Sequence, residues 1–161
     1  LAGAGRGLPC LGLALSLQMA DGRLAETPLR IALWRALELD PADPQALQRI
    51  KALVVAPGFG AAGFARLAPV VNRLAEEGDR QAGEILQRNA DALARMAAAV
   101  ARALGLKAPP VSVMGGAIEN LAMFRGCFTD ALAASLPAGR IVEAQGDACN
   151  GALAMAAEVA G

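Results

Sequence analysis

Apolar positions along this 161-residue chain recur mostly at helical spacing, and that periodicity predicts a helix-dominated architecture. Leu8 to Ala20 reads as a helix, apolar nearly all round, that stops at Asp21-Gly22. Thr27-Pro28 supplies an N-cap and a first-turn proline for a helix to about Leu39, with Leu29, Leu33, Trp34 and Leu37 on its face. Asp43-Pro44 repeats the device and opens a helix with Leu47, Ile50, Leu53 and Val54 on one side. Ala56 to Gly63 reads as a loop, after which Phe64 begins a single helix ending at Gly78. Asp79 caps the longest element, which runs to about Leu104 and stops at Gly105. Along it Ala82, Ile85, Leu86, Leu93, Met96, Val100 and Leu104 form one sustained core stripe.

The pattern changes after Lys107. Val111 to Met114 is a short apolar run stopped by Gly115-Gly116, which reads as a buried strand ending in a turn that glycine makes cheaply. Leu121 to Leu136 follows as a helix that tolerates Gly126, Ile141 to Ala144 as a second strand, and Asp147 caps a last helix from Asn150 to Ala160. Strand, helix, strand implies a parallel crossover, right-handed by default. The expected fold class is therefore α/β and helix-dominated. Residues 1–161 read as one lobe, mainly helical over 8–104 and β-α-β-α over 108–161.

Three stretches invite chemistry. In PVSVMGGAIEN (Pro110 to Asn120), two adjacent residues without Cβ let a flat or anionic ligand lie on bare backbone, and Glu119 and Asn120 sit where a ribose could lie. A plain tight β-to-α turn accounts for the same residues. Gly58, Gly60 and Gly63 spell GxGxxG after Leu53-Val54-Val55, the local order of a dinucleotide fingerprint, but the following helix leads to another helix and not to a second strand. Glu76, Glu77 and Asp79 surround Gly78 at a helix–helix corner, where carboxylates favour the start of the next helix. Gly151-Ala152 give the last helix a flat face for close approach, a packing device that becomes functional against a moving partner.

Composition narrows the classes. Lys+Arg and Asp+Glu are 15 each, so no global field draws nucleic acid or an anionic membrane. The longest apolar runs fall short of the ~20 residues of a membrane span. The first twenty residues mimic a signal peptide but lack a small-residue cleavage site and an initiating Met, so the chain reads as a fragment or one without its natural start. Cys10, Cys127 and Cys149 lack CxxC spacing and fit small core residues in a reducing, cytoplasmic compartment. There is no histidine and no tyrosine, which removes Ser-His-Asp and Cys-His catalysis and most metal sites. Any chemistry here must rest on carboxylates, backbone amides or residues on another part of the molecule.

FARLAPVVNRLAEEGD (Phe64 to Asp79), the long helix after it, PVSVMGGAIEN and QGDACNGALAMA (Gln145 to Ala156) together resemble the C-terminal half of the BadF/BadG/BcrA/BcrD-type ATPases. That family includes the bacterial N-acetylglucosamine and glucosamine kinases. LGLALSLQMADGRLAETPL (Leu11 to Leu29) resembles the stretch opening that half, so the likeness covers nearly the whole chain. It implies a ribonuclease-H-like lobe of the actin/sugar-kinase superfamily, closing with a second lobe over ATP and Mg²⁺. Gly115-Gly116 then match the adenosine motif, with Met114, Ala117, Glu119 and Asn120 beside it. Gly151 and Ala152 match the hinge helix, and the helices from Phe64 to Leu104 the wall beside the nucleotide.

The resemblance also implies what lies elsewhere. The phosphate loop, its metal-binding Asp and the base for the sugar hydroxyl belong to the N-terminal half, which has no counterpart here. Where the family carries an acidic loop towards the sugar, this chain has GAGRGLPCLG, with Arg6 and no carboxylate. The leading expectation is the C-terminal lobe of an ATP-dependent amino-sugar kinase, inactive alone, with ATP, an amino sugar, the missing lobe and a homodimer mate as partners. A non-catalytic nucleotide-binding or regulatory module working with another chain is the alternative, and a dinucleotide binder at Gly58–Gly63 the third.

Overall fold

The computed structural model describes residues 4–144, 146, 149, 150, 153 and 155–157. Its elements in order are α1 (Ala4–Ala20), α2 (Pro28–Ala36), α3 (Ala46–Val55), α4 (Gly60–Ala65), α5 (Ala68–Glu76) and α6 (Arg80–Ala103). Then come β1 (Pro110–Ser112), α7 (Gly116–Asn120), α8 (Ala122–Ser135) and β2 (Arg140–Val142). The fold is helix-dominated with one small parallel sheet, consistent with the α/β class. No helix among the described residues is long and apolar enough to cross a membrane.

Local signals set most boundaries. Thr27 is extended (φ −134°, ψ 167°) and its side chain accepts from the Leu29 N–H, so α2 starts where the Thr-Pro pair places it. It ends earlier than Leu39, because Glu38 turns left-handed (φ 61°) while its N–H donates to Arg35 O and Leu39 N–H to Trp34 O. Asp43 is not the cap residue of α3. Its carboxylate accepts from the Gln45 N–H at 2.8 Å and forms the turn before it, with Gln45 at the cap position. The expected helix from Phe64 to Gly78 is two: α4 closes at Ala65 and α5 opens at Ala68, with Pro69 in its first turn. Proline has no N–H to continue a helix, and it disfavours helical backbone before it.

Asp79 is the busiest junction. Its N–H donates to Leu74 O and that of Gly78 to Ala75 O, which closes α5. Its carboxylate then accepts from the Ala82 N–H at 2.9 Å, capping α6, and from the Leu29 N–H of α2 at 3.3 Å. The neighbouring acids make local partners, Glu76 with the Asn72 amide and Glu77 with Arg73. Asp79→Ala should therefore destabilise the protein by about 1–2 kcal/mol, the cost of a lost N-cap. Chemical denaturation checks this, with Glu77→Ala, an exposed i,i+4 pair, expected to cost about 0.5 kcal/mol or less.

One core joins the helical and strand-bearing halves. Leu8, Leu29, Leu33, Ile50, Leu67, Val71, Ile85, Leu86 and Phe124 are essentially inaccessible. Helix α8 lies along α6, and the small residues Ala90, Ala94, Ala98 and Ala101 are the ones buried in the second half of α6. That rotates the expected stripe partly out of the core. Ile85 is 1% exposed, but Met96, Val100 and Leu104 are 50%, 58% and 66% exposed. The strands pair in parallel with Val111 opposite Ile141, each shorter than expected. Neither is a buried strand, because among the described residues the sheet has only two members and β2 is open along its length.

Candidate functional site

The chain leaves β1 and reaches α7 through Gly115, whose φ of 112° and ψ of 149° fall where only glycine sits without strain. Its N–H donates to Glu119 Oε1 at 2.9 Å, and its carbonyl accepts from the Ile118 and Glu119 N–H groups. The Asn120 amide donates to Gly116 O at 2.9 Å. Glu119 and Asn120 thus fasten the turn by folding onto it, while buried Ile118 anchors it to the core. Gly116 differs from Gly115: a Cβ there would meet only the Asn120 amide nitrogen, at an ordinary 3.7 Å. Nothing in the turn itself requires glycine at position 116.

Beside this turn opens a cavity of about 720 Å³. Leu93, Met96, Ala97, Val100 and Ala101 of α6 form one wall, Phe124 and Phe128 of α8 another, and 109–118 a third. Of the sequence-proposed site residues, Met114, Gly115, Gly116 and Ala117 line it, and Glu119 and Asn120 do not. Ser112 is the one polar side chain in the lining, so the cavity walls are apolar and their hydrogen-bonding groups are chiefly backbone. Of the expected helical wall, only α6 contributes. The α8 aromatics were not foreseen as site residues, although Phe124 and Phe128 at i, i+4 spacing were a readable signal for one face.

The remaining candidates resolve differently. Leu53-Val54-Val55 ends helix α3, so the glycine triplet joins helix to helix and has no strand before it. Gly63 is there for packing: a Cβ would fall 2.6 Å from the Phe59 ring, which stacks edge-on against Phe64 at 4.8 Å. Gly151, Ala152 and Asp147 lie outside the described residues. Cys127 is half-buried and outside the cavity lining, and burial, with Asp130 nearby, pushes its thiol pKa up and disfavours the nucleophilic thiolate. Among the described residues no group of three or more His, Cys, Asp or Glu is placed to hold a metal ion.

Compared with known proteins, the chain matches no family model and no curated protein.

Proposed function

We propose that this chain is the C-terminal, nucleoside-side lobe of an ATP-dependent amino-sugar kinase of the BadF type, with a ribonuclease-H-like fold. The complete protein would transfer the γ-phosphoryl group of ATP to a hydroxyl of N-acetylglucosamine or glucosamine, in the cytoplasm. The observation carrying this reading is the Gly115-Gly116 turn beside the cavity: the first glycine is demanded by backbone geometry, the second by nothing in the turn. Bare backbone against an apolar cavity of this size suits the base and ribose of a nucleoside.

The lining fits the nucleoside and not the rest of the nucleotide. It contains no Lys or Arg for phosphates and no carboxylate for Mg²⁺. In this reading the phosphates, the metal and the base acting on the sugar are held by another lobe, because phosphoryl transfer needs all three in place. The chain alone is expected to bind adenosine and ATP with similar affinity and to turn neither over.

Calorimetric titration with adenosine tests the site. Gly116→Ala should leave the fold intact, since its Cβ has room, and weaken adenosine at least ~10-fold, or about 1.4 kcal/mol, by intruding on the ligand. Gly115→Ala should also cost about 1–3 kcal/mol of stability through backbone strain. Adenosine binding that ignores Gly116→Ala, or no binding at all, would sink the site assignment. A full-length enzyme that hydrolysed no ATP with either amino sugar would sink the activity.

A further inference from the structure

We propose that Asn72 of α5, which lies outside the cavity lining, is a positioning residue for it: by supplying the first-turn partner of α8, it sets the two phenylalanines of that wall and through them the affinity for the ligand. The ligand rests on the nucleoside reading; the hold on the wall does not.

The helix that carries this wall cannot cap itself. The first N–H groups of a helix have no partner inside it, and a Ser, Thr, Asp or Asn side chain at the cap ordinarily meets the one at the third position. Helix α8 has Leu121 at the cap, with no side-chain acceptor, and Phe124 at the third position. Ala122 is exposed and Met123 half-buried, but Phe124 is completely buried, so its N–H must find its partner in the protein. It finds Asn72 Oδ1 at 3.2 Å, 52 positions earlier. Phe128, one turn on, shares the wall with Phe124.

Asn72 is itself fixed from its other end. It is 6% exposed, and its Nδ2 donates to Glu76 Oε1 at 2.7 Å, one turn along α5. A carboxylate accepts and cannot donate, so it selects the orientation of the amide that turns Oδ1 to α8. Three residues later Asp79 accepts from the Ala82 N–H and caps α6. The two helices that wall the cavity thus take their first-turn partners from one stretch, Asn72 to Asp79. The setting of Phe124 and Phe128 against Leu93, Met96 and Val100 depends on it. A binding wall holds its geometry only as well as the residues behind it.

Calorimetric titration and hydrogen exchange on the 161-residue chain separate this role from plain stability. Asn72→Ala leaves the Phe124 N–H buried without a partner and should raise the Kd for adenosine at least ~10-fold. Its Phe124 amide should also exchange at least ~10-fold faster relative to the slowest amides of α6. Asn72→Asp keeps an oxygen in the same place, so both readings should stay within about 3-fold of the wild type, although a carboxyl group beside Glu76 lowers the melting temperature. Leu74→Ala empties a buried position of the same helix outside the cavity lining, and should lower the melting temperature with both readings unchanged. Should Asn72→Ala not fold, Glu76→Ala, at an exposed position, releases the far end of the amide and should move both readings about 3-fold; unmoved readings there count against the role. An Asn72→Ala that behaves as Leu74→Ala does, or an Asn72→Asp that fails as far as Asn72→Ala, would overturn it. A wild type that binds no adenosine ends the nucleoside reading and leaves the exchange ratio to decide the hold on the wall.

Discussion

Replacing Phe124 with alanine should lower the free energy of unfolding by about 3–5 kcal/mol, a large fraction of the total for an ordinary domain. The ring is completely buried in the first turn of α8, between the core shared with α6 and the cavity wall. Its backbone matters as well. Helix α8 has no side-chain cap of its own, and the Phe124 N–H donates instead to Asn72 Oδ1 of α5 at 3.2 Å, across 52 positions of sequence. Truncating the ring therefore removes apolar burial where α8 is pinned to α5, and leaves a void that joins the existing cavity. Urea unfolding followed by circular dichroism should give a lower midpoint with little change in slope. Adenosine affinity should fall too, because a wall of the proposed site has gone. Loss of stability with unchanged adenosine affinity would separate the cavity from the ligand.

Much of this architecture was legible because it is encoded locally. Thr27-Pro28, Asp79 and Gly105 announce helix ends within three or four residues, and the helices start or stop there. Pro69 was equally visible, yet its break was hidden inside a strong apolar pattern that runs on from α4 into α5. The face of α6 was harder to read, because periodicity identifies an apolar arc and not which part of it a neighbour will cover. Alanines 90, 94, 98 and 101 carry little hydrophobic signal, but they are the buried positions along the second half of α6, so larger side chains are left at the flank. Asn72 shows the same limit. A polar residue on the buried side of an amphipathic helix signals a buried partner, while the partner's identity, the start of α8, is a fact of tertiary structure. Of the candidate site, the glycine turn was legible as a string, but the cavity was not, since its walls come from three separated segments.

Trp34→Ala should cost a comparable ~3–5 kcal/mol by emptying a different part of the core. The indole is 2% exposed on α2, and its Nε1 donates to Ser16 Oγ of α1 at 3.1 Å. That hydroxyl, itself fully buried, donates to Leu13 O at 2.8 Å, so the chain of bonds ties α1 to α2. On the ring face, the Arg30 guanidinium carbon lies 4.7 Å from the centroid and covers the indole with a cation held by Glu26. Alanine here loses ring volume and also strips the partner from a buried hydroxyl, whereas Trp34→Phe keeps most of the volume and should cost nearer ~1–2 kcal/mol through the lost hydrogen bond. Because this is the only tryptophan, unfolding is followed by circular dichroism and not by fluorescence. Trp34 lines no part of the cavity. Well below its own midpoint, Trp34→Ala should therefore bind adenosine as the wild type does, while Phe124→Ala should not. Two variants of similar stability cost but opposite effect on binding would separate damage to the wall of the site from general loosening of the fold; a parallel loss of affinity in both would assign the effect to the fold as a whole.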